Sequence, residues 1–254
     1  METGYSVIAP LYDRINEPLY RPYADFLREV IRQYSRTDVR DVLDLGCGTG
    51  RITALMADAG FNMVALDRSP DMLNYARAAN EGKNTLLLQQ DMRSFELYGT
   101  VQTIYSSFDC LNYIRQEKDL ASVFRLAYNY LDPGGLFLFD VNTSYRMREI
   151  FGNNTFVYEF DGEILYWRNE VDAVYRYCRF ILDRYYDMQP DGTCRYGREV
   201  QVEYVHSRNK LYALASEAGF LPQAIYTGLD FSVRAADAEK EYYVLLKPQS
   251  GGMV

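Results

Sequence analysis

One histidine in 254 residues leaves this chain with almost no side chain that titrates near neutral pH, and its four cysteines, Cys47, Cys110, Cys178 and Cys194, stand far apart with no Cys-x-x-Cys pair. Neither a zinc site nor a disulfide framework has a spacing to rest on. No metal is expected, and the reading is reduced thiols in a cytoplasm. Basic residues number 27 against 35 acidic ones, and a net charge of −8 without a Lys/Arg cluster argues against a surface built to neutralise phosphates. No nucleic-acid partner is expected. No apolar run approaches the ~18 residues of a membrane span, and the opening Met-Glu-Thr-Gly-Tyr-Ser lacks a basic region followed by an apolar one. No membrane partner is expected, and the assembly is read as a monomer or homodimer.

The chain does have enough apolar material for a full core, since 48% of it is hydrophobic and 24% charged. Residues 18–35 carry Leu19, Tyr23, Phe26, Leu27, Val30 and Ile31 at helical spacing, with Pro18 suited to a first turn. Strand and helix signals then alternate. Strand 41–46 leads to a helix stopped by Gly60, and strand 62–67 to a helix capped by Ser69 with Pro70 at its first position. Strand 84–90, strand 101–107, a helix over 117–131 closed by Asp-Pro-Gly-Gly, and strand 136–141 complete the run. Near-continuous apolar strands separated by helices predict a parallel sheet covered on both faces. From about 155 the texture changes to period-two alternation rich in Tyr, Val and Ile, broken at Asp161-Gly162 and Pro190-Asp191-Gly192, which predicts an antiparallel meander. A helix capped by Ser207 and ended by Gly219, then strands at 222–232 and 241–247, return to the first texture, and "SGGMV" is left as a dispensable tail.

The stretch "VLDLGCGTG", residues 42–50, runs an apolar strand into three glycines at alternate positions ahead of a helix. Glycine at a strand end suits a sharp turn or a ligand close to the main chain, and a helix N-terminus behind such a turn receives negative charge. Asp67 ends the second strand, where a carboxylate can accept both hydroxyls of a ribose, and Asp91 ends the third in "QQDM". Acids at successive strand ends line the edge where such folds bind ligands. The alternative is that Asp67 and Asp91 only cap the turns that follow them.

With the later "LDPGGLFLFD", these segments resemble the class I S-adenosylmethionine-dependent methyltransferases over about residues 40–142 and the closing strands. The resemblance implies an α/β fold: a doubly wound, mostly parallel seven-stranded sheet, Rossmann-like, with an antiparallel β insertion after the fifth strand. It implies S-adenosyl-L-methionine as cofactor and S-adenosyl-L-homocysteine as product. Gly46, Gly48 and Gly50 would lie against the methionine part, Asp67 on the ribose, Asp91 on the adenine amino group and Met92 against the ring. Cys47, Arg68, Met72, Ser107, Tyr12 and Tyr20 complete the expected cofactor set. The segments "APLYDRI", "SSFDCLNYI" and "GNNTFVYE" are similar to those of small-molecule members whose N-terminal helix folds over the cofactor. On that likeness, residues 1–37 form a helical lid, 38–152 and 206–248 the cofactor-binding core, and 153–205 a roof over the acceptor site. Cys110 stands where serine is common in that subgroup.

Methyl transfer is an in-line displacement at carbon, so alignment and a dry pocket carry most of the catalysis, about 7 to 11 kcal/mol. A dedicated base is optional and none is assigned. His206, beside the Ser207 cap, is read as structural. Tyr5, Tyr12, Tyr20, Tyr23 and Tyr113 could face the sulfonium for about 0.5 to 2 kcal/mol each. Tyr5, Asn112, Tyr113 and Trp167 are the acceptor-side candidates, with Arg176 and Arg179 also on the insertion. The expected reaction is methylation of an N or O atom of a small molecule. Rival readings keep the fold but methylate protein or tRNA, or bind the cofactor or a protein partner without catalysis. A nicotinamide-dependent oxidoreductase is disfavoured by G-x-G-x-G in place of G-x-G-x-x-G.

Overall fold

The computed structural model describes residues 5–172, 174, 176–233 and 237–249, so the "SGGMV" tail and the first four residues of the expected lid lie outside the described residues. Helix α1, Ala9–Tyr34, precedes β1 (Asp41–Leu45), α2 (Arg51–Asp58), β2 (Asn62–Asp67), α3 (Pro70–Ala79), β3 (Thr85–Gln89) and β4 (Val101–Ser106). A 3-10 turn at Cys110–Tyr113, α4 (Glu117–Tyr130), β5 (Leu131–Asn142) and a π turn at Arg146–Phe151 follow. The insertion is β6 (Thr155–Phe160), β7 (Glu163–Asp172), β8 (Tyr177–Tyr186) and β9 (Arg195–Tyr204), and α5 (Arg208–Ala218), β10 (Leu221–Tyr226) and β11 (Lys240–Leu246) close the chain.

The main sheet has seven strands in the order β10-β11-β5-β4-β1-β2-β3. The five strands from β5 to β3 pair in parallel, and β11 runs antiparallel between β5 and β10. Alternation along each strand feeds two cores. Leu43, Ile104, Phe137 and Phe139 meet α4 and α5 on one face, while Val42, Met63, Leu136 and Leu138 meet α1 and α2 on the other. Strand order reverses at β1 and β4, which opens a crevice beyond their carboxyl ends. The insertion is a four-stranded antiparallel sheet, β6-β7-β8-β9. Ile8 and Leu11 of the N-terminal segment pack against it through Leu165, Phe180 and Leu182.

Helix α1 therefore starts well before the predicted 18 and runs through both Pro18 and Pro22. Burial of Ile8, Ala9 and Leu11 on the insertion, a long-range contact, sets its true start. The two prolines are four apart and exposed, so the carbonyls they orphan share one wet face. The Asp-Pro-Gly-Gly segment stays in β5 instead of forming a turn: pairing jumps from Val101↔Leu131 to Thr103↔Leu136. A Cβ at Gly135 would lie 2.6 Å from the Gln102 carbonyl oxygen, so only glycine fits that crossing. Ser69 caps α3 through the Met72 N–H at 3.3 Å, and Ser207 caps α5 through the Lys210 N–H at 3.3 Å, as predicted.

Candidate active site

The loop after β1 is held by its own backbone. Gly46 and Cys47 N–H both donate to the Leu66 carbonyl at 2.9 Å, and Gly48 N–H donates to Asp67 Oδ2 at 2.9 Å. All three glycines have left-handed φ, +90°, +53° and +71°, but they serve different ends. A Cβ on Gly46 would meet Cys110 Sγ at 2.9 Å and Met92 Cε at 3.0 Å, whereas one on Gly48 would meet nothing within 4 Å. Gly50 caps α2, and a Cβ there would press on Ala76 and on Asn80 Nδ2 at 2.7 Å. Gly50 thus serves helix packing and lines neither cavity described next.

Two cavities flank this loop. The first, about 360 Å³, is lined by Cys47, Gly48, Met72 and Ser107 at the strand ends, by Tyr12 and Tyr20 of α1, and by Trp167 of the insertion. The second, about 350 Å³, is lined by Arg68, Asp91 and Met92. Tyr5, Gly46, Asp67 and Tyr113 border both, so a ligand seated across Asp67 spans the two. Asn112, expected on the acceptor side, also lines neither cavity. It is fully buried, its Nδ2 donating to the Tyr204 carbonyl at 2.9 Å and its Oδ1 accepting from Asn142 N–H at 2.9 Å. It fastens β9 to the end of β5. Arg176 and Arg179 line a separate cleft with Tyr177 and Lys210 and face neither cavity.

Charge in the site is set by burial. Burial raises the Asp67 carboxyl, and the N–H groups of Ser69 and Gly48 work against that rise. Asp91 is held below its usual range by Arg93, whose Nε and Nη2 reach its two oxygens at 2.9 and 2.5 Å. The Cys47 and Cys110 thiols are pushed up by burial and stay neutral. His206 is lowered to about 4 by burial, sits 3.1 Å from the Leu111 carbonyl oxygen and lines the separate cleft.

A further charged group of the first cavity, Asp109, was not among the predicted site residues. Phe108 and Asp109 adopt φ of +56° and +57° just beyond β4, a strained pair that delivers Asp109 into the first cavity. Lys240 bonds Asp109 and lies 2.6 Å from Asp140 Oδ2, and Tyr23 OH donates to Asp140 Oδ1 at 2.5 Å. Burial raises Asp109, but the Lys240 charge, the hydrogen bonds from Glu203 and Lys240 and the Arg146 charge together outweigh it and leave the carboxyl low. Glu203 of β9, hydrogen-bonded to Asp109, is driven well up by burial and by the Asp109 charge. Gln201 and Glu203, two apart in β9, share one face of the strand, and polar faces of that kind usually meet water. Here that face closes the cavity, with Glu203 2% exposed.

The outer end of α1 is tied to the glycine loop by Asp13. Tyr20 OH and Thr49 Oγ1 donate to its Oδ1 at 2.9 and 2.5 Å, and Arg51 Nε lies 2.9 Å from Oδ2.

A doubly wound sheet with a glycine loop after β1, a carboxylate closing β2 and an antiparallel strand, β11, between β5 and β10 matches the class I methyltransferase architecture. A methyltransferase-domain family model matches residues 42–135. A protein of Geobacillus sp. (strain WCH70), provisionally named a methyltransferase, is 33% identical over 165 residues, 64% of this chain and 66% of that protein. A ubiquinone biosynthesis O-methyltransferase of Hydrogenovibrio crunogenus (strain DSM 25203 / XCL-2) is 27% identical over 119 residues, 46% of this chain and 49% of that protein. The matched segments thus span two thirds or less of these relatives. A crystal structure of an S-adenosylmethionine-dependent methyltransferase from Clostridium acetobutylicum ATCC 824 shares the fold, with a TM-score of 0.84 at 23% identity over 96% of this chain and 99% of that one. The chain carries a methyltransferase domain on the fold of the class I S-adenosylmethionine-dependent methyltransferases.

The residues present fit that cofactor. Gly48 leaves the space a side chain would fill beside Asp67, whose carboxylate, held by the Gly48 and Ser69 N–H groups, has lone pairs enough to accept further donors.

Proposed function

We propose that this protein transfers the methyl group of S-adenosylmethionine to a nitrogen or oxygen of a small molecule enclosed between α1 and the insertion sheet. One observation carries the reading: a single cavity wall runs from the glycine loop, past Tyr12 and Tyr20, to Trp167 and Leu182 of the insertion. The cofactor, when bound, supplies a methyl group already activated by its sulfonium. Gly46, Cys47, Gly48, Met72 and Ser107 would hold the amino-acid arm, Asp67 the ribose, and Arg68, Asp91 and Met92 the base. The chain's own task is alignment and exclusion of water, which suits a cavity walled by Tyr5, Tyr12, Tyr113 and Trp167. An enclosed acceptor space and a net charge of −8 support a small acceptor over tRNA, and the ubiquinone-pathway relative acts, by its name, on a small molecule.

The experiment is transfer of label from methyl-labelled S-adenosylmethionine into the small-molecule fraction of a cell extract. Label in a low-mass product that depends on the protein bears the proposal out. Label confined to protein or RNA would move the assignment to those acceptors.

A further inference from the structure

We propose that the acceptor is an amine, its nitrogen held by the Asp109–Glu203 carboxyl pair and by the Asn142 side-chain carbonyl. The inference rests on the methyltransferase reading above and names the atom that reading leaves open.

Three neighbouring side chains in the wall of the first cavity define the seat. Asp109 and Glu203 are hydrogen-bonded to each other. Asn142 Nδ2 donates to Glu203 Oε2 at 2.7 Å, which fixes the amide so that Oδ1 is its remaining polar atom. Asn142 is 1% exposed, and that Oδ1 has no hydrogen-bond partner. A buried acceptor left unpaired costs about 1 to 3 kcal/mol, so the seat favours a ligand that brings a donor. An amine brings two N–H groups, enough for Asn142 Oδ1 and for a carboxylate oxygen of the pair.

The chemistry separates amine from alcohol. A hydroxyl oxygen must surrender a proton as it attacks. Asp109, drawn low by the Lys240 charge and by its hydrogen bonds, is a weak base, and Glu203 is already engaged by Asp109 and by Asn142 Nδ2, so neither suits that task. A neutral amine needs no base in the step itself, its ammonium proton having passed to water before attack. Its lone pair forms the C–N bond while the C–S bond breaks, the electrons of that bond stay on sulfur, and the sulfonium becomes a neutral thioether. Nitrogen keeps its protons and ends as a methylammonium, the positive charge developing beside the ionised Asp109. Phe151, Phe156, Tyr158 and Leu182 add an apolar stretch fitted to a ring or hydrocarbon body, while Gln201, Arg146 and Lys240 supply polar lining.

Trp167 is the one tryptophan of the chain and lines this cavity, so its fluorescence reads occupancy directly. The test titrates the S-adenosylhomocysteine complex with benzylamine and with benzyl alcohol, which share one hydrocarbon body and differ in the atom at issue and in the charge it carries near neutral pH. Benzylamine is expected to bind about ten-fold tighter or more. Glu203→Gln and Asp109→Asn are each expected to abolish that preference while S-adenosylhomocysteine affinity, measured separately by calorimetry, holds and reports that the variant is folded. Equal binding of the two probes, no binding of the amine, or a preference that survives both substitutions overturns the inference. Failure of S-adenosylhomocysteine to bind would instead strike the methyltransferase reading, and the amine preference is then still read on the protein alone.

Discussion

The backbone N–H of Gly48 donates to Asp67 Oδ2 across 2.9 Å, so the glycine loop after the first strand and the acid that ends the second are one unit. The other Asp67 oxygen is held by Ser69 N–H at 2.8 Å. Asp67→Ala removes the ribose partner and frees the loop at once, and is expected to weaken S-adenosylmethionine binding by about 1.5 to 3 kcal/mol. Calorimetry on the variant is the check, and unchanged affinity would contradict the assignment.

Gly48 and Gly50 are expected to fail differently when replaced by alanine. At Gly50 the new Cβ presses on the Ala76 backbone at 3.0 Å and on Asn80, in a left-handed conformation, so denaturant unfolding should show a loss of about 2 to 4 kcal/mol. At Gly48 the Cβ meets nothing, so stability should fall by only about 1 to 2 kcal/mol while S-adenosylhomocysteine affinity falls further in proportion. A Gly50→Ala protein of normal stability would refute the packing role.

This pair also shows how much the sequence made legible. The strand, glycine loop and helix order, the Asp67 position and both serine caps follow from local pattern, because each is fixed within a few residues by hydrogen bonding or sterics. Three glycines in a row of alternate positions read alike, yet only the arrival of α3 at Ala76 makes Gly50 a packing glycine. Asn112 reads as a site residue from its neighbours and is instead spent on the Tyr204 carbonyl, 92 residues away in sequence. Glu203 and Lys240 escaped notice for the same reason: their meeting with Asp109 depends on how the insertion and the last strand fold back, which no local spacing encodes.

Asp13→Ala should loosen the outer end of α1. The carboxylate takes Tyr20, Thr49 and Arg51 at once, but its side chain is 25% exposed and the Arg51 side chain 47%, so solvent weakens the ion pair and the loss is about 1 to 2 kcal/mol. Hydrogen exchange should quicken in the first turns of α1 and stay unchanged in α4, which packs on the opposite face. Uniform exchange across both helices would contradict this.

Asp44 gives a pH signature. Burial raises its carboxyl to about 7 from 3.8, with Thr53 and Tyr105 donating to Oδ2 at 2.6 and 2.8 Å. Between those two values the folded protein holds a proton the unfolded chain has released, so this group lowers stability as pH rises through the window, by up to about 4 kcal/mol, and levels off above it. Asp44→Asn keeps an acceptor for both hydroxyls and does not titrate. Its stability relative to the native protein should therefore climb from about pH 4 to 7, read by denaturant unfolding, and a difference independent of pH would be inconsistent with a raised Asp44.

Calorimetric titration with S-adenosylhomocysteine and with NADH tests the central claim most directly. Micromolar binding of the first, weakened by Asp67→Ala, with no binding of the second is the result expected of this site. Binding of NADH alone, or affinity for S-adenosylhomocysteine untouched by the loss of Asp67, would contradict it.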